Sequence, residues 1–400
     1  MTMGGLSFDI KKKIPQSLGR AGVIKTANGE IKTPAFIAVG TKATVKALTP
    51  SQLKDLGIQA VLGNTYHLHL QPGDDLVKQA GGLASFMSWS GPTMTDSGGF
   101  QAFSLGAAYE VGGISKITGR QTELEPSVVR KDPPAKVTEE GVSFRSYLDG
   151  SQKFFTPEKS ITIQHNLGAD IIFAFDECTS PLADFEYQQQ ALERTHRWAK
   201  RSLLTHQKAQ SSQALFGIVQ GGRWRQLREL SAQTIGALDF DGFGIGGSFD
   251  KDDINTAVAW VTAILPENKP RHLLGIGEPE DLWGAVENGI DTFDCVIPTR
   301  MARNGTLMTN RGRLNIDKAS YRNDLSPIDK TCDCYTCQHF SRAYLAHLFR
   351  AKEILGATLA SIHNLKFLIN LMASMRQSIL DDSFVEAKET FLNTYNRGHV

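Results

Sequence analysis

One feature constrains this chain more than any other: short apolar runs alternate with helical segments along most of its length. Eight runs rich in β-branched and aromatic residues, at 35–40, 60–66, 93–96, 171–176, 215–221, 242–247, 272–277 and 292–298, close on glycine or a polar residue, as strands do. Most lead into a segment of helical length and period, clearest at 185–210, 223–238, 252–265 and 279–288. Two helix entries are explicit, Thr49-Pro50 with Gln52 and Thr156-Pro157, each a capping hydroxyl followed by a first-turn proline. Such alternation predicts an α/β protein with a parallel sheet, and eight strands are the number a (β/α)8 barrel requires. A doubly wound open sheet alternates in the same way, but no Gly-x-Gly-x-x-Gly follows the first run to support its dinucleotide site.

At 400 residues the chain exceeds a minimal barrel. Two stretches hold the excess. Residues 106–140 include Lys131-Asp132-Pro133-Pro134 and are expected as a hairpin or mobile loop. Residues 315–380 hold three clustered cysteines and then helical periodicity, so a metal-stapled subdomain is expected there. The anticipated division is a barrel over 1–314 and 381–400 with the subdomain over 315–380. Apolar residues make up 41% and charged residues 21%, a globular balance that excludes a wholly disordered or fibrous chain. Lys11, Lys12 and Lys13 precede no apolar run of the kind a signal peptide needs, and no stretch is expected to reach the 18 apolar residues of a membrane span. The expected location is the cytoplasm, with no membrane partner.

Active sites of barrels lie where strands end at the C-terminal face. The ends here are rich in carboxylates and amides: Asn64, Asp96, Asp176 and Gln220, with Gly246-Gly247 closing the sixth run and Asp294 inside the eighth. Turn chemistry accounts for any single strand-end Asp or Asn, and accounts less well for several together. In Asp96-Ser97-Gly98-Gly99-Phe100-Gln101, the glycines permit close backbone approach to a ligand and the aromatic ring can stack on a planar one. Asp294 interrupts the apolar Phe293 to Pro298 run, where a buried charge needs a partner or a task.

Cys332-x-Cys334-x-x-Cys337 supplies three thiolates to one tetrahedral site, with His339, His347 and His363 as candidate fourth ligands that spacing does not separate. Clustered thiols of this kind belong to a reducing compartment. The overall charge of +1 argues against a polyanionic partner until its distribution is examined. Residues 300–352 hold ten basic side chains, Arg300 and Arg303 first among them, against four aspartates. A basic block directly after a candidate catalytic carboxylate predicts a phosphate-binding surface beside the active site.

Taken together, the Asp96 to Gln101 motif, Phe175-Asp176-Glu177-Cys178-Thr179, Gly217-Ile218-Val219-Gln220-Gly221, Phe293-Asp294-Cys295-Val296-Ile297-Pro298-Thr299-Arg300, Arg303-Asn304-Gly305 and the cysteine cluster resemble the bacterial tRNA-guanine transglycosylases. The similarity runs in consistent order from about Val39 to Phe384. It implies an irregular (β/α)8 barrel with an inserted zinc subdomain and a homodimer. It also implies exchange of guanine, at the wobble position of GUN-anticodon tRNAs for Asp, Asn, His and Tyr, for a 7-deazaguanine. On this resemblance Asp294 is the nucleophile and Asp96 the general acid/base. Asp176, Gln220, Gly246, Gly247 and Cys178 bind the base between Phe100 and Leu274, and Arg300 and Arg303 bind tRNA. Cys332, Cys334, Cys337 and His363 are implied as ligands of one structural Zn²⁺.

The chemistry agrees with those roles. Breaking and reforming a glycosidic bond on the same face takes two displacements, hence a carboxylate nucleophile and a covalent intermediate, with a second carboxyl group to move the proton. Cys178 matches the bacterial pattern, so the resemblance implies 7-aminomethyl-7-deazaguanine over queuine as the incoming base. Departures from the family pattern are Phe100 and His272, each where tyrosine is common, and Ser248-Phe249 after the paired glycines. A non-catalytic tRNA-binding paralogue and a barrel hydrolase of small glycosides are the alternatives; two well-placed carboxylates weigh against the first and the basic block against the second.

Overall fold

The computed structural model describes residues 5–100, 135–180, 183–247 and 253–396. The chain opens on an antiparallel sheet of β1 (Ser7–Lys13), β2 (Arg20–Thr26) and β3 (Gly29–Thr33). Strands β4 (Ala35–Val39), β5 (Val61–Gly63) and β6 (Thr93–Thr95) begin the barrel. A second antiparallel sheet, β7 (Ala135–Val137), β8 (Val142–Arg145) and β9 (Gln152–Phe155), then intervenes. The barrel resumes with β10 (Ile171–Phe173), β11 (Ala214–Val219), β12 (Gly242–Ile245), β13 (Arg271–Leu273) and β14 (Thr292–Cys295). It closes in the order β10-β11-β12-β13-β14-β4-β5-β6, with parallel pairing throughout.

All eight runs expected as strands are the barrel strands, and the four expected helices are Phe185–Ala209, Arg225–Gly236, Ile254–Thr262 and Pro279–Glu287. Thr49 makes a full capping box with Gln52, and the Thr156 hydroxyl accepts from the Lys159 N–H. Alternation along the strands sends one set of side chains inward and the other out to the helices. Ile37, Leu62, Met94, Ile171, Phe173, Phe216 and Ile218 fill the interior, and Ile24 and Ile31 of the first sheet join them. Phe36, Val61, Ile172, Leu215 and Phe243 pack outward with Trp198, Val258 and Trp283. Each such large side chain contributes roughly 1.5–3 kcal/mol on burial.

The opening sheet carries structural information that the sequence reading did not extract. Arg20 is fully buried and grips Asp291 with Nε at 2.9 Å and Nη2 at 2.7 Å. Asp291 also accepts from the Arg271 N–H at 2.8 Å. This bidentate, charge-assisted pair ties the N-terminal sheet to β13 and to the start of β14.

A hairpin of β15 (Thr306–Thr309) and β16 (Gly312–Asn315) leads to the helices Tyr335–His339, Arg342–Arg350 and Ile354–Leu380. The last of these packs on β4 and on the helix Ile297–Arg303 as well as on its two shorter neighbours. It also corrects one expectation, because it is long and apolar enough, with a mean hydropathy of 1.3, to cross a membrane by length and composition. Most of that stretch is buried inside the protein. Of the long 106–140 segment, residues 106–134 lie outside the described residues, and Ala135–Val137 is the first strand of the second sheet.

Candidate functional site

The residues expected at the site converge on one cavity of about 650 Å³ at the C-terminal ends of the barrel strands. Its lining includes Asp96, Phe100, Asp176, Cys178, Gln220, Gly246, Gly247, Leu274, Asp294, Arg300 and Arg303. Every one of them follows or ends a barrel strand, so the closed sheet brings together residues up to 207 positions apart without any loop having to reach. Ser248 and Phe249 lie outside the described residues.

Asp294 sits on β14 opposite Ile37. Its Oδ1 accepts from the Gly275 N–H at 2.9 Å and from His272 Nε2 at 3.1 Å. His272 is fully buried, and its other ring nitrogen, Nδ1, meets Thr292 Oγ1 at 2.9 Å. A carboxylate only accepts, so Nε2 carries a proton toward Asp294. Thr292, His272 and Asp294 thus form one hydrogen-bonded chain.

Asp96 is gripped at both oxygens: Asn64 Nδ2 donates to Oδ2, and the Thr65 N–H donates to Oδ1 at 2.9 Å. Asn64 does this while its own Oδ1 caps the helix Thr65–Leu70 by accepting from the His67 N–H at 2.9 Å. One side chain thus sets both a helix start and the orientation of Asp96.

Asp176 is 5% exposed and accepts from Ser97 Oγ at 2.8 Å and from Gln220 Nε2 at 2.7 Å. Gly99 is required beside it, because a Cβ there would stand 2.4 Å from the Asp176 carbonyl oxygen. Gln220 Oε1 is buried without a hydrogen-bond partner among the described residues. The Gly246 N–H is taken by the Val219 carbonyl at 3.0 Å. The Gly246 carbonyl accepts from Arg228, so both backbone groups of Gly246 are engaged within the fold.

The sequence reading missed a residue beneath these glycines. Arg228 is fully buried, donating from Nε to the Gly222 carbonyl at 2.7 Å and from Nη1 to the Gly246 carbonyl at 2.6 Å. Burial pushes its guanidinium down to about 9. Gly247, at φ +115°, leaves room for it, since a Cβ would lie 2.4 Å from Arg228 Nη2. A signal was present: Arg228 lies at helical spacing with the buried Ser231, Ala232 and Ile235, on the face turned to the core.

Arg300 and Arg303 line the cavity from the helix Ile297–Arg303. Partial burial and the neighbouring Arg300 both lower the proton affinity of Arg303. Two guanidinium groups that disfavour each other's charge are relieved by an anion between them.

Away from the cavity, Cys332, Cys334, Cys337 and His363 bring one ligand atom each to within 4.8 Å of one another. His363 Nδ1 lies 3.7, 3.6 and 3.3 Å from the three sulfurs in chain order. Ligands of a tetrahedral Zn²⁺ at the usual bond lengths stand roughly 3.6 Å apart for a sulfur–nitrogen pair, so the group fits such an ion. His339 and His347 are not part of it. Hydrogen bonds from Cys332, Cys337 and the Cys337 N–H lower the proton affinity of the Cys334 thiol. On the far side of the ring, His363 Nε2 donates to the Met308 carbonyl at 2.7 Å, which fixes the tautomer a metal ligand needs.

A family model described as queuine tRNA-ribosyltransferase matches residues 16–397. Among curated relatives, queuine tRNA-ribosyltransferases of Caldanaerobacter subterraneus subsp. tengcongensis and Desulforamulus reducens are each 48% identical over 396 residues, covering 98% of this chain and 98% and 100% of theirs. The Staphylococcus aureus (strain JH9) protein of the same name is 46% identical over 396 residues, 98% of this chain and 97% of its own.

Proposed function

Because the chain belongs to the queuine tRNA-ribosyltransferase family, we propose that it is a tRNA-guanine transglycosylase acting in queuosine synthesis. The observation that carries this reading is the convergence of Asp96, Asp176, Gln220 and Asp294 on one cavity with an arginine pair in its wall. In the proposed reaction the wobble nucleotide of a GUN-anticodon tRNA leaves its stack and enters the cavity. An Asp294 carboxylate oxygen forms a bond to the ribose anomeric carbon as the bond to guanine N9 breaks, giving a glycosyl ester. Asp96 supplies a proton to the departing guanine. It then takes one from the incoming base, whose nitrogen displaces Asp294 with the opposite inversion.

Asp176 accepts from Ser97 on one oxygen and from Gln220 on the other, and a carboxylate so oriented suits the ring N–H and exocyclic amine of a guanine-type base. The second Gln220 amide hydrogen and the Gly247 N–H are the donors for its carbonyl. Phe100 and Leu274 enclose its faces, and Cys178 supports 7-aminomethyl-7-deazaguanine as the base inserted. Incubating the protein with tRNA and each candidate base, followed by mass analysis of the tRNA nucleosides, tests activity and base choice together. Incorporation of neither base nor labelled guanine would remove the proposal.

The Cys332, Cys334, Cys337 and His363 set would hold a structural zinc, since protein atoms fill all four positions. Thiols kept reduced for that purpose support a cytoplasmic location. Exposed rings on the same unit, Tyr335 4.7 Å from His339 and Tyr344 stacked 5.3 Å from Phe340, support a second copy of the chain as partner.

Two further results are expected. Replacing Arg300 and Arg303 by Ala should weaken tRNA binding uniformly across sequences. It should also reduce the slope of log affinity against log salt by about 1.4–1.8; an unchanged slope would remove both from the phosphate-binding surface. His272→Phe keeps the ring packed near Phe173, 5.4 Å away, but removes a side-chain donor to Asp294. Exchange should fall about 10²-fold with tRNA affinity unchanged, and wild-type kinetics would show that the Gly275 N–H suffices.

A further inference from the structure

The barrel's strand order separates two kinds of chemistry around its rim. Asp176, Gln220 and Gly247 leave β10, β11 and β12, which are consecutive neighbours in the closed sheet. Arg300 and Arg303 follow β14, Lys42 and Lys46 follow β4, Tyr66 and His67 follow β5, and Tyr147 follows β6 by way of the second sheet. Strands β14, β4, β5 and β6 are also consecutive. One arc therefore carries the groups suited to a guanine-type base, and the other carries a succession of cations and aromatic rings. A polynucleotide needs that second combination on either side of an extruded base: cations for its phosphates and π-faces for its neighbouring bases.

Tyr147 stands out on this arc. It lies in the turn between β8 and β9, which backbone bonds hold rigidly: Ser146 N–H to the Ser151 carbonyl and Gly150 N–H to the Ser146 carbonyl, both at 2.8 Å. The Asp149 carboxylate accepts from the Ser151 N–H at 3.1 Å and from its hydroxyl at 2.8 Å. The turn presents a ring that is 45% exposed. A large aromatic side chain left in water has no folding reason to be held still, yet this one is fixed on several sides. Its hydroxyl meets His67 Nδ1 at 3.2 Å, the Tyr66 ring lies 6.2 Å away at 25°, and Lys42 Nζ sits 5.4 Å from its centroid. Burial, with the charges of Lys42 and Lys46, pushes His67 down to about 4, so the imidazole is neutral and Nδ1 can accept from the phenol. His67 and Lys46 themselves line the cavity, so the platform borders the pocket without belonging to it.

From this arrangement we infer that Tyr147 is a stacking platform for the nucleobase next to the extruded one in the RNA, with Lys42 beside it neutralising the adjoining phosphate. The inference rests on the tRNA-binding reading above and deepens it by assigning one arc of the rim to the RNA strand. Stacking is worth roughly five- to 150-fold in affinity per base and depends little on sequence, whereas a phosphate contact shows itself in the salt dependence.

The test measures binding of an anticodon stem-loop to the full-length protein, using RNAs that carry an abasic site at each nucleotide flanking the wobble position. Tyr147→Ala should weaken binding of the intact RNA about tenfold and Tyr147→Phe much less, with the affinity for free guanine unaltered. One abasic RNA should lose the same factor against the wild-type protein and lose nothing further against Tyr147→Ala. Lys42→Ala should lower the salt slope by about 0.7, the single-strand value for one contact. If every abasic RNA lost equal affinity with both proteins, or Tyr147→Ala bound like wild type while the Arg300 and Arg303 replacements did not, the platform would be overturned and the tRNA reading would stand. If the wild-type protein bound no stem-loop at all, both would fall.

Discussion

Asp294→Asn is expected to lower exchange of labelled guanine in tRNA by about four orders of magnitude or more, the scale seen when a covalent nucleophile is removed. An amide in this position cannot form the glycosyl ester, so the first displacement has no acceptor. The substitution is otherwise mild. The Gly275 N–H and His272 Nε2, which now donate to Oδ1 at 2.9 and 3.1 Å, can donate equally well to an amide oxygen. Binding and chemistry should therefore separate: the variant holds tRNA with wild-type affinity and forms no denaturant-stable protein–RNA adduct. Asp96→Asn provides the contrast, because the nucleophile remains and an adduct can still accumulate slowly. Exchange by Asp294→Asn within tenfold of wild type would end the nucleophile assignment.

Loss of the metal site is the other large effect. Structural zinc contributes apparent binding free energies of about 10–16 kcal/mol in small zinc-binding peptides, far more than any single apolar contact in this fold. Cys334→Ser, or prolonged chelation, should remove the bound ion and unfold the unit around it. The consequence should extend to RNA binding through a short chain of contacts. His363 holds the Met308 carbonyl, and the adjacent Asn364, also fully buried, accepts from the Met308 N–H at 2.9 Å. Asn364 Nδ2 in turn donates at 3.0 Å to the carbonyls of Thr306 and of Pro298. Pro298 lies in the first turn of the helix that carries Arg300 and Arg303. Without the ion, tRNA affinity should fall with the unit while binding of free guanine persists, as titration calorimetry of both ligands on the same sample would show. Undiminished tRNA affinity in metal-free protein would mean that the arginine helix does not depend on the metal.

How much of this was legible beforehand depends on the range of the interaction concerned. The eight barrel strands were readable because each is a short apolar run ended by a polar or glycine residue, and the capped helices because Thr49 and Thr156 satisfy N–H groups only three residues away. The opening sheet was not, since charges such as Lys11 to Lys13 mask a strand with one partly covered face. Arg20 reads as a surface charge until Asp291, 271 residues later, is brought beside it. Arg228 likewise reads as an exposed helix residue unless its spacing with Ser231 and Ile235 is counted. The helix Ile354–Leu380 was underestimated in the opposite direction: Lys366, Arg376 and scattered polar residues obscure an apolar stretch that the barrel wall buries.

Sequence alone set the order of the eight barrel strands and of the helices between them, the polar chemistry at the strand ends and the cysteine trio, because each of these is a local pattern fixed by side-chain period, turn residues or ligand spacing. Closure of the sheet decided the rest. It brought the candidate carboxylates to one cavity, while packing of the helix Ile354–Leu380 set His363, of the three histidines, beside the cysteines. Closure also set the strand ends that carry Asp176, Gln220 and Gly247 side by side, apart from those that lead to Arg300, Lys42 and Tyr147, since neighbours in a barrel are fixed by strand pairing and not by distance along the chain.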